Sequence, residues 1–244
     1  MASLRRLSAR RLGAICIAAS ALSPLAPSGA LSNRCVDVAL VLAVDGSSSI
    51  DAAEYRFQQH AIAASLRDPA VLNAMASAGT VSTAVVFWGD PDRPVQETET
   101  VVVDGTSDAD RLARVVESLP RQVLGNTGLS TGLAAALDKL RTMGCAHRSV
   151  INVSGDGKGT ILSRRKVRSP RLEEVRAMAA VEGITINALV VSNEEPDLAD
   201  YYKSKVVTGP GAFVMEVRTY ADYAEALRRK LIREITPPII SLAD

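Results

Sequence analysis

Residues 36–44, Val-Asp-Val-Ala-Leu-Val-Leu-Ala-Val, run almost wholly apolar and then turn polar within one residue, at Asp45-Gly46-Ser47-Ser48-Ser49. Nine residues are too few to cross a bilayer. A Val/Leu/Ala run without alternation is the pattern of a strand covered on both faces, as in a parallel sheet flanked by helices. Such a strand constrains the whole chain, because helices must be supplied for each side of the sheet. Its abrupt polar end bears on function, since open α/β sheets place ligand sites beyond the carboxyl ends of their strands. Asp45, Ser47 and Ser49 alternate as D-x-S-x-S, so in an extended turn their side chains point the same way and offer three hard oxygens to one cation. The same pentapeptide also suits a strand-to-helix turn in which Asp and Ser cap the next helix.

Two later stretches extend the pattern. Gly125-Asn126-Thr127-Gly128 stands just before an Ala/Leu-rich helical run at 129–140, and residues 150–157, Val-Ile-Asn-Val-Ser-Gly-Asp-Gly, form a second apolar strand that ends in an acid. Together these motifs resemble the von Willebrand factor A (vWA) family over residues 36–235. That family's metal-ion-dependent adhesion site (MIDAS) combines D-x-S-x-S, a distant Thr in a Gly-rich loop, and an Asp ending a later strand. Carried over residue by residue, the resemblance implies Asp45, Ser47, Ser49, Thr127 and Asp156 as metal ligands. The family commonly has Thr-Asp-Gly where this chain has Gly155-Asp156-Gly157, and the Thr loop continues to Thr131, which is the alternative to Thr127.

Two carboxylates and three hydroxyls make an all-oxygen set that suits Mg²⁺, Mn²⁺ or Ca²⁺ and not zinc or copper. In the vWA family a partner's carboxylate takes an open position on the ion. The resemblance therefore implies a protein or peptide partner that supplies an acidic residue, and no catalysis. Two other readings stay open: a metal-dependent phosphohydrolase, since a bound metal can activate water, and a structural domain whose polar loops bond one another without an ion. A serine hydrolase would need a base near a serine. The only histidines are His60, inside the first expected helix, and His147, at the far end of the second strand. Neither G-x-S-x-G nor H-E-x-x-H occurs. Gly155-Asp156-Gly157-Lys158-Gly159-Thr160 is glycine-rich, but a phosphate loop needs Ser or Thr directly after its Gly-Lys, and Gly159 stands there.

Residues 1–30 are of another kind. Arg5, Arg6, Arg10 and Arg11 precede an apolar run from Leu12 that Pro24 and Pro27 break, and Ser28-Gly29-Ala30 offers small residues for cleavage. This pattern predicts a secretory signal peptide, a domain over 31–238 and a short tail over 239–244. Arg10-Arg11 sits in a poor twin-arginine context, and Cys16 lacks a lipobox. Removing the leader leaves 24 Lys+Arg against 27 Asp+Glu, a net charge of −3. A weakly acidic body carries no electrostatic footprint for nucleic acid. With no further stretch apolar enough to span a bilayer, the mature protein is expected to be soluble and secreted or periplasmic.

Cys35 and Cys145 remain in a compartment that permits disulfides. Cys35 lies ten residues before Asp45, and Cys145 eleven before Asp156. If both acids meet at one metal, their strands adjoin, and counting back along them places both cysteines at the opposite end of the sheet. Neighbouring strands are about 4.8 Å apart, within reach of a disulfide, so a Cys35–Cys145 bond is predicted.

The remaining pattern predicts helices over 51–66, with Asp68-Pro69 as a stop, and over 71–78. A strand over 80–88 and another over 95–103 form an antiparallel hairpin at the sheet edge. A helix capped by Ser107 runs to Leu119, with Leu112, Val115, Val116 and Leu119 inward, and a further helix covers 129–143. Lys158, Arg164, Arg165, Lys166 and Arg168 mark a solvated basic loop, and Ser169-Pro170 and Gly183 bound the following helix. A strand over 184–191, a short helix over 197–203, a strand over 212–217 and an amphipathic helix over 220–235 follow. That last helix turns Ala224, Leu227, Leu231 and Ile235 inward and is ended by Pro237-Pro238. The fold expected is α/β: a doubly wound, mostly parallel sheet flanked by helices, vWA- or Rossmann-like, with one antiparallel edge strand. Trp88 is expected to pack at the rim of the ligand end.

Overall fold

In a computed structural model of the chain, which describes residues 35–160 and 170–236, the 36–44 run is strand β1, Val36–Asp45. From Val38 to Asp45 no residue is more than 2% exposed. Strand β1 pairs in parallel with β2 (Val81–Trp88) on one side and β5 (Ala146–Gly155) on the other. Beyond β5 the parallel sheet continues through β6 (Thr185–Val191) and β7 (Val214–Val217). The expectations for the leader, for Arg164, Arg165, Lys166, Arg168 and Ser169, and for the tail from Pro237 fall outside the described residues.

The antiparallel edge comes as two short strands rather than one. β3 (Gln96–Glu97) and β4 (Val101–Val103) both run along the outer side of β2. Between them the ladder slips by one residue, from Val86↔Glu97 to Thr83↔Val101. Thr98 fills the break: its N–H donates to the Val85 carbonyl at 2.9 Å, and its Oγ1 accepts the Val85 N–H at 3.0 Å. A side chain thus satisfies a buried donor that the slipped ladder would leave orphaned.

Alternate residues of β1 face two different helix layers, as the period of two in a strand requires. Val38, Leu40, Leu42 and Val44 pack with α1 (Ala52–Arg67), α2 (Pro69–Ala78), α3 (Thr106–Ser118) and α7 (Tyr220–Ile235). Ala39, Val41 and Ala43 pack with α4 (Leu129–Thr142), α5 (Leu172–Val181) and α6 (Leu198–Lys205). Helix α1 starts where Asp51 accepts the Ala53 and Glu54 N–H groups while Glu54 accepts the Asp51 N–H, a complete capping box. Asp68-Pro69 ends α1 as expected but also opens α2, with Asp68 as cap and Pro at the first position.

Three helix expectations are corrected. Ser107 lies within α3 and not before it, because Gly105 precedes the first helical residue. Val115 is 40% exposed, and Ala109 and Ala113 take the inner positions beside Leu112 and Val116. Helix α5 begins at Leu172 after Arg171, so Pro170 precedes the cap position, although Gly183 closes the helix at φ 69° as expected.

The inner face of α7 holds more than the expected aliphatic stripe, and Ala224 is only half-buried. Lys230 and Glu234 are buried with it, 2.6 Å apart. Asn152 of β5 donates to the second Glu234 oxygen at 2.6 Å, and the Tyr223 hydroxyl donates to Ser154 at 3.0 Å. Burial pulls Lys230 down to about 8 and pushes Glu234 up, each shift opposed by the partner's charge. At the amino ends of β1 and β5, the Val36↔Ala146 register sets Cys35 beside Cys145, and the two are joined by a disulfide with Cα atoms 4.7 Å apart.

Replacing Lys230 by Met leaves Glu234 buried without its cation and is expected to cost about 3 to 5 kcal/mol in urea unfolding, whereas Lys230→Met with Glu234→Leu costs less. Alkylation of denatured, unreduced protein is expected to spare Cys35 and Cys145. The double Cys→Ser variant should lose on the order of 4 to 5 kcal/mol, from the long loop the bond closes. Modification of either cysteine without reductant would contradict the pairing.

Candidate metal centre

After β1 the chain builds β2 on one side and returns to build β5 on the other, so the carboxyl ends of β1 and β5 flank the point where the winding reverses. The connections that follow the two strands leave to opposite faces of the sheet, α1 on one and α5 on the other, and such a switch point leaves a crevice for polar groups. Asp45 is the last residue of β1, and Asp156 directly follows β5.

The structure brings the D-x-S-x-S turn, Thr127 and Asp156 together. Asp45 Oδ1 accepts the Ser47 N–H at 2.8 Å, and the Ser47 and Ser49 hydroxyls lie 3.1 Å apart. Ser49 donates to Asp156 Oδ1 at 2.8 Å across 107 residues of sequence, and Thr127 Oγ1 reaches Ser47 Oγ at 3.5 Å. Thr131 lies in the first turn of α4, with its hydroxyl buried and without a hydrogen-bond partner, so Thr127 is the threonine that meets the cluster. Asp45 and Ser47 are fully buried, while Ser49 is exposed, so the cluster opens to solvent on one side.

Close backbone approaches hold the loops. The Gly46 N–H donates to the Trp88 carbonyl at 2.7 Å, and the Gly128 N–H donates to the Gly89 carbonyl at 2.9 Å. Trp88 is fully buried and does not pack at the rim: α4 seats on it at Gly132, where a Cβ would fall 2.3 Å from the indole. Thr127 is tied to Thr160 by three bonds: its N–H donates to Thr160 Oγ1 at 3.0 Å, and its carbonyl accepts the Thr160 N–H at 2.9 Å and the Thr160 hydroxyl at 3.3 Å. Lys158 is paired with Asp197 at 2.8 Å and with Glu195 at 3.3 Å.

Sequence reading passed over Arg121. Its Nη2 donates to the carbonyls of Gly46, Ser47 and Ile50 at 3.0, 2.8 and 2.8 Å. An isolated arginine between two irregular segments carries no periodicity or motif, so nothing in the linear pattern marks it. The histidines lie elsewhere, His60 exposed on α1 beside Glu117 and His147 exposed near the start of β5.

Burial, and next the Asp156 charge, push Asp45 up to about 8 against the bonds from Ser47; burial also raises Asp156, with Ser49 opposing. Asp45 Oδ2 is buried and has no hydrogen-bond partner. Leaving such an oxygen unsatisfied is costly. Gly155 keeps that space clear, since a Cβ there would stand 3.2 Å from Asp45 Oδ2 and 2.7 Å from the Tyr202 hydroxyl. Among the described residues no group of three or more His, Cys, Asp or Glu side chains gathers. A cation here would rest on two carboxylates with hydroxyls completing the set, which fits a hard ion and not a soft one.

A carboxyl whose pKa is raised on folding favours the native state at acid pH and loses that contribution as pH rises toward its folded value. In chelator, urea stability is therefore expected to decline between about pH 4 and the Asp45 value of about 8. Asp45→Asn should flatten that decline, and an unchanged profile would show that Asp45 is not the group responsible.

No curated protein matches the sequence. Solved structures do share the fold. The pilus adhesin SpaC from Lactobacillus rhamnosus GG superposes with a TM-score of 0.59 at 10% identity, over 83% of this chain and 31% of that one. The von Willebrand factor type A structure from Catenulispora acidiphila gives 0.56 at 15%, over 82% and 43%. The vWF domain of the type V pili tip protein Mfa5 from Porphyromonas gingivalis gives 0.55 at 13%, over 85% and 99%. This chain thus spans about a third of SpaC and nearly all of the Mfa5 domain. At such identities the likeness establishes a vWA-like α/β fold. A family model described as "Protein of unknown function (DUF1194)" matches residues 34–239, and the chain belongs to that family.

Proposed function

We propose that this protein is an exported, non-enzymatic binding domain. It holds Mg²⁺, Mn²⁺ or Ca²⁺ through Asp45, Ser47, Ser49, Thr127 and Asp156 and docks an acidic residue of a partner protein or peptide. The observation that carries this reading is the buried, unpartnered Asp45 Oδ2 at the winding reversal of the sheet, at the start of a turn whose Ser47 and Ser49 hydroxyls connect to Thr127 and Asp156. A hard divalent ion bound there supplies an electrophilic position for a carboxylate. Asp45 anchors from the closed side, Ser47 and Ser49 line the turn, and Asp156 and Thr127 flank the side that opens to solvent through Ser49. Neutral hydroxyls leave the two acids as the only formal charges in the set, a balance that keeps affinity for an incoming anion. The shared fold with a pilus adhesin and a pilus tip protein supports an adhesion-type role. The Cys35–Cys145 bond supports an oxidising compartment, secreted or periplasmic. Both histidines sit away from the cluster, so no histidine base favours the phosphohydrolase reading.

Calorimetric titration with Mg²⁺ or Mn²⁺ is expected to show one site, abolished in Asp45→Ala and in Asp156→Ala. Thr127→Ala, which removes one neutral ligand, should weaken it about tenfold, or roughly 1.4 kcal/mol. Proteins retained on the immobilised domain should be released by chelator. A wild type that takes up neither ion would end the proposal.

A further inference from the structure

We infer that Arg121 is a positioning residue that keeps the ligand cluster assembled before any ion arrives; this rests on the metal-binding reading. Five bonds define its place. Besides the carbonyls of Gly46, Ser47 and Ile50 on Nη2, Nη1 donates to the Asp51 carbonyl at 3.3 Å and Nε to the Val123 carbonyl at 3.1 Å. The guanidinium also lies over the Tyr55 ring, 4.8 Å from its centroid. A rigid planar fork can hold several carbonyls at fixed angles, which a single ammonium on a flexible stem cannot.

The consequence runs through the peptide planes. Turning the carbonyls of Gly46, Ser47 and Ile50 toward Arg121 fixes the planes of the D-x-S-x-S turn. In that conformation the Ser47 N–H reaches Asp45 Oδ1 and the hydroxyls of Ser47 and Ser49 come together. The segment that carries Arg121 also delivers Thr127. It is bonded to the same turn by Ser48 N–H to the Gly125 carbonyl and by the Gly125 N–H to Ser48 Oγ, each 2.8 Å. Two ligand-bearing loops are thereby fixed relative to each other by the guanidinium and the Ser48–Gly125 bonds, without help from the Asp45 and Asp156 carboxylates. The Arg121 charge meanwhile lowers the Asp45 pKa against the repulsion from Asp156. A site preformed in this way spends little of its binding energy on ordering.

The test uses Mn²⁺ as probe, with calorimetry for affinity and electron paramagnetic resonance for the environment of the bound ion. Arg121→Lys keeps the charge and loses the fork; it is expected to weaken Mn²⁺ binding tenfold or more and to change the spectrum of the bound ion. Tyr55→Leu keeps Arg121 and removes the ring beneath its guanidinium, a ring that also packs on Phe87; compared with the Leu112→Ala core control it should shift affinity the same way as Arg121→Lys by less, which keeps the test open if Arg121→Lys does not fold. Leu112→Ala, a core truncation in α3, controls for lost stability and should leave affinity and spectrum unchanged. Arg121→Lys within twofold of wild type with the same spectrum, or Leu112→Ala weakening binding equally, would overturn the role of Arg121. If Asp45→Ala abolishes binding in that same series, only that role fails; if wild type binds no Mn²⁺, both readings fail.

Discussion

The parallel pairing of β1 with β5 is the interaction on which the rest depends. One register, Val36↔Ala146 through Val44↔Ser154, fixes both ends of the sheet's centre. At the amino end it brings Cys35 to Cys145. At the carboxyl end it sets Asp45 beside Gly155, so that Asp156, one residue further, comes within reach of the serine turn. A slip of one residue would exchange the two faces of β5 and separate both pairs, so core packing, the disulfide and the Ser49–Asp156 contact all enforce the same register.

Two buried carboxyl groups in this fold are handled in opposite ways. Glu234 lies on the inner face of α7 with its two oxygens engaged by Lys230 and Asn152, so it is matched where it stands. Its role is to fix how α7 lies on β5. Asp45 is as deeply buried, yet one of its oxygens has no partner and the nearest group able to offset it, Arg121, is spent on carbonyls. Protein interiors rarely leave a carboxyl oxygen unpaired. The mismatch lies at the winding reversal of the sheet and not at some arbitrary point of the core.

The order of strands and helices, the buried character of β1 and the start of α1 were legible in the sequence, because each rests on local pattern. A long apolar run, a capping box and a glycine at a helix end need no distant partner. The edge strand was legible only in outline: its one-residue slip depends on Thr98 bonding across to Val85. The inner face of α3 was misjudged at Val115, since the turn of the helix about its axis is set by its packing on α1 and not by its own sequence. Lys230 and Glu234 read as surface residues by type, and only their pairing and the Asn152 partner on β5 allow them inside.

By itself the sequence determined which side chains were available for the cluster, since D-x-S-x-S, the Gly-rich threonine loop and the acid after a strand can each be read in place. The paired cysteine offsets likewise predicted the Cys35–Cys145 bond that the structure shows, but the sequence could not close off Thr131 as the alternative to Thr127 or reveal Arg121. Those outcomes depend on the depth and angle at which three separate loops meet over the sheet. Tertiary structure decided them, because hydrogen bonds between residues 74 to 107 positions apart, such as Arg121 to Ser47 and Ser49 to Asp156, form only once the strands beneath have paired.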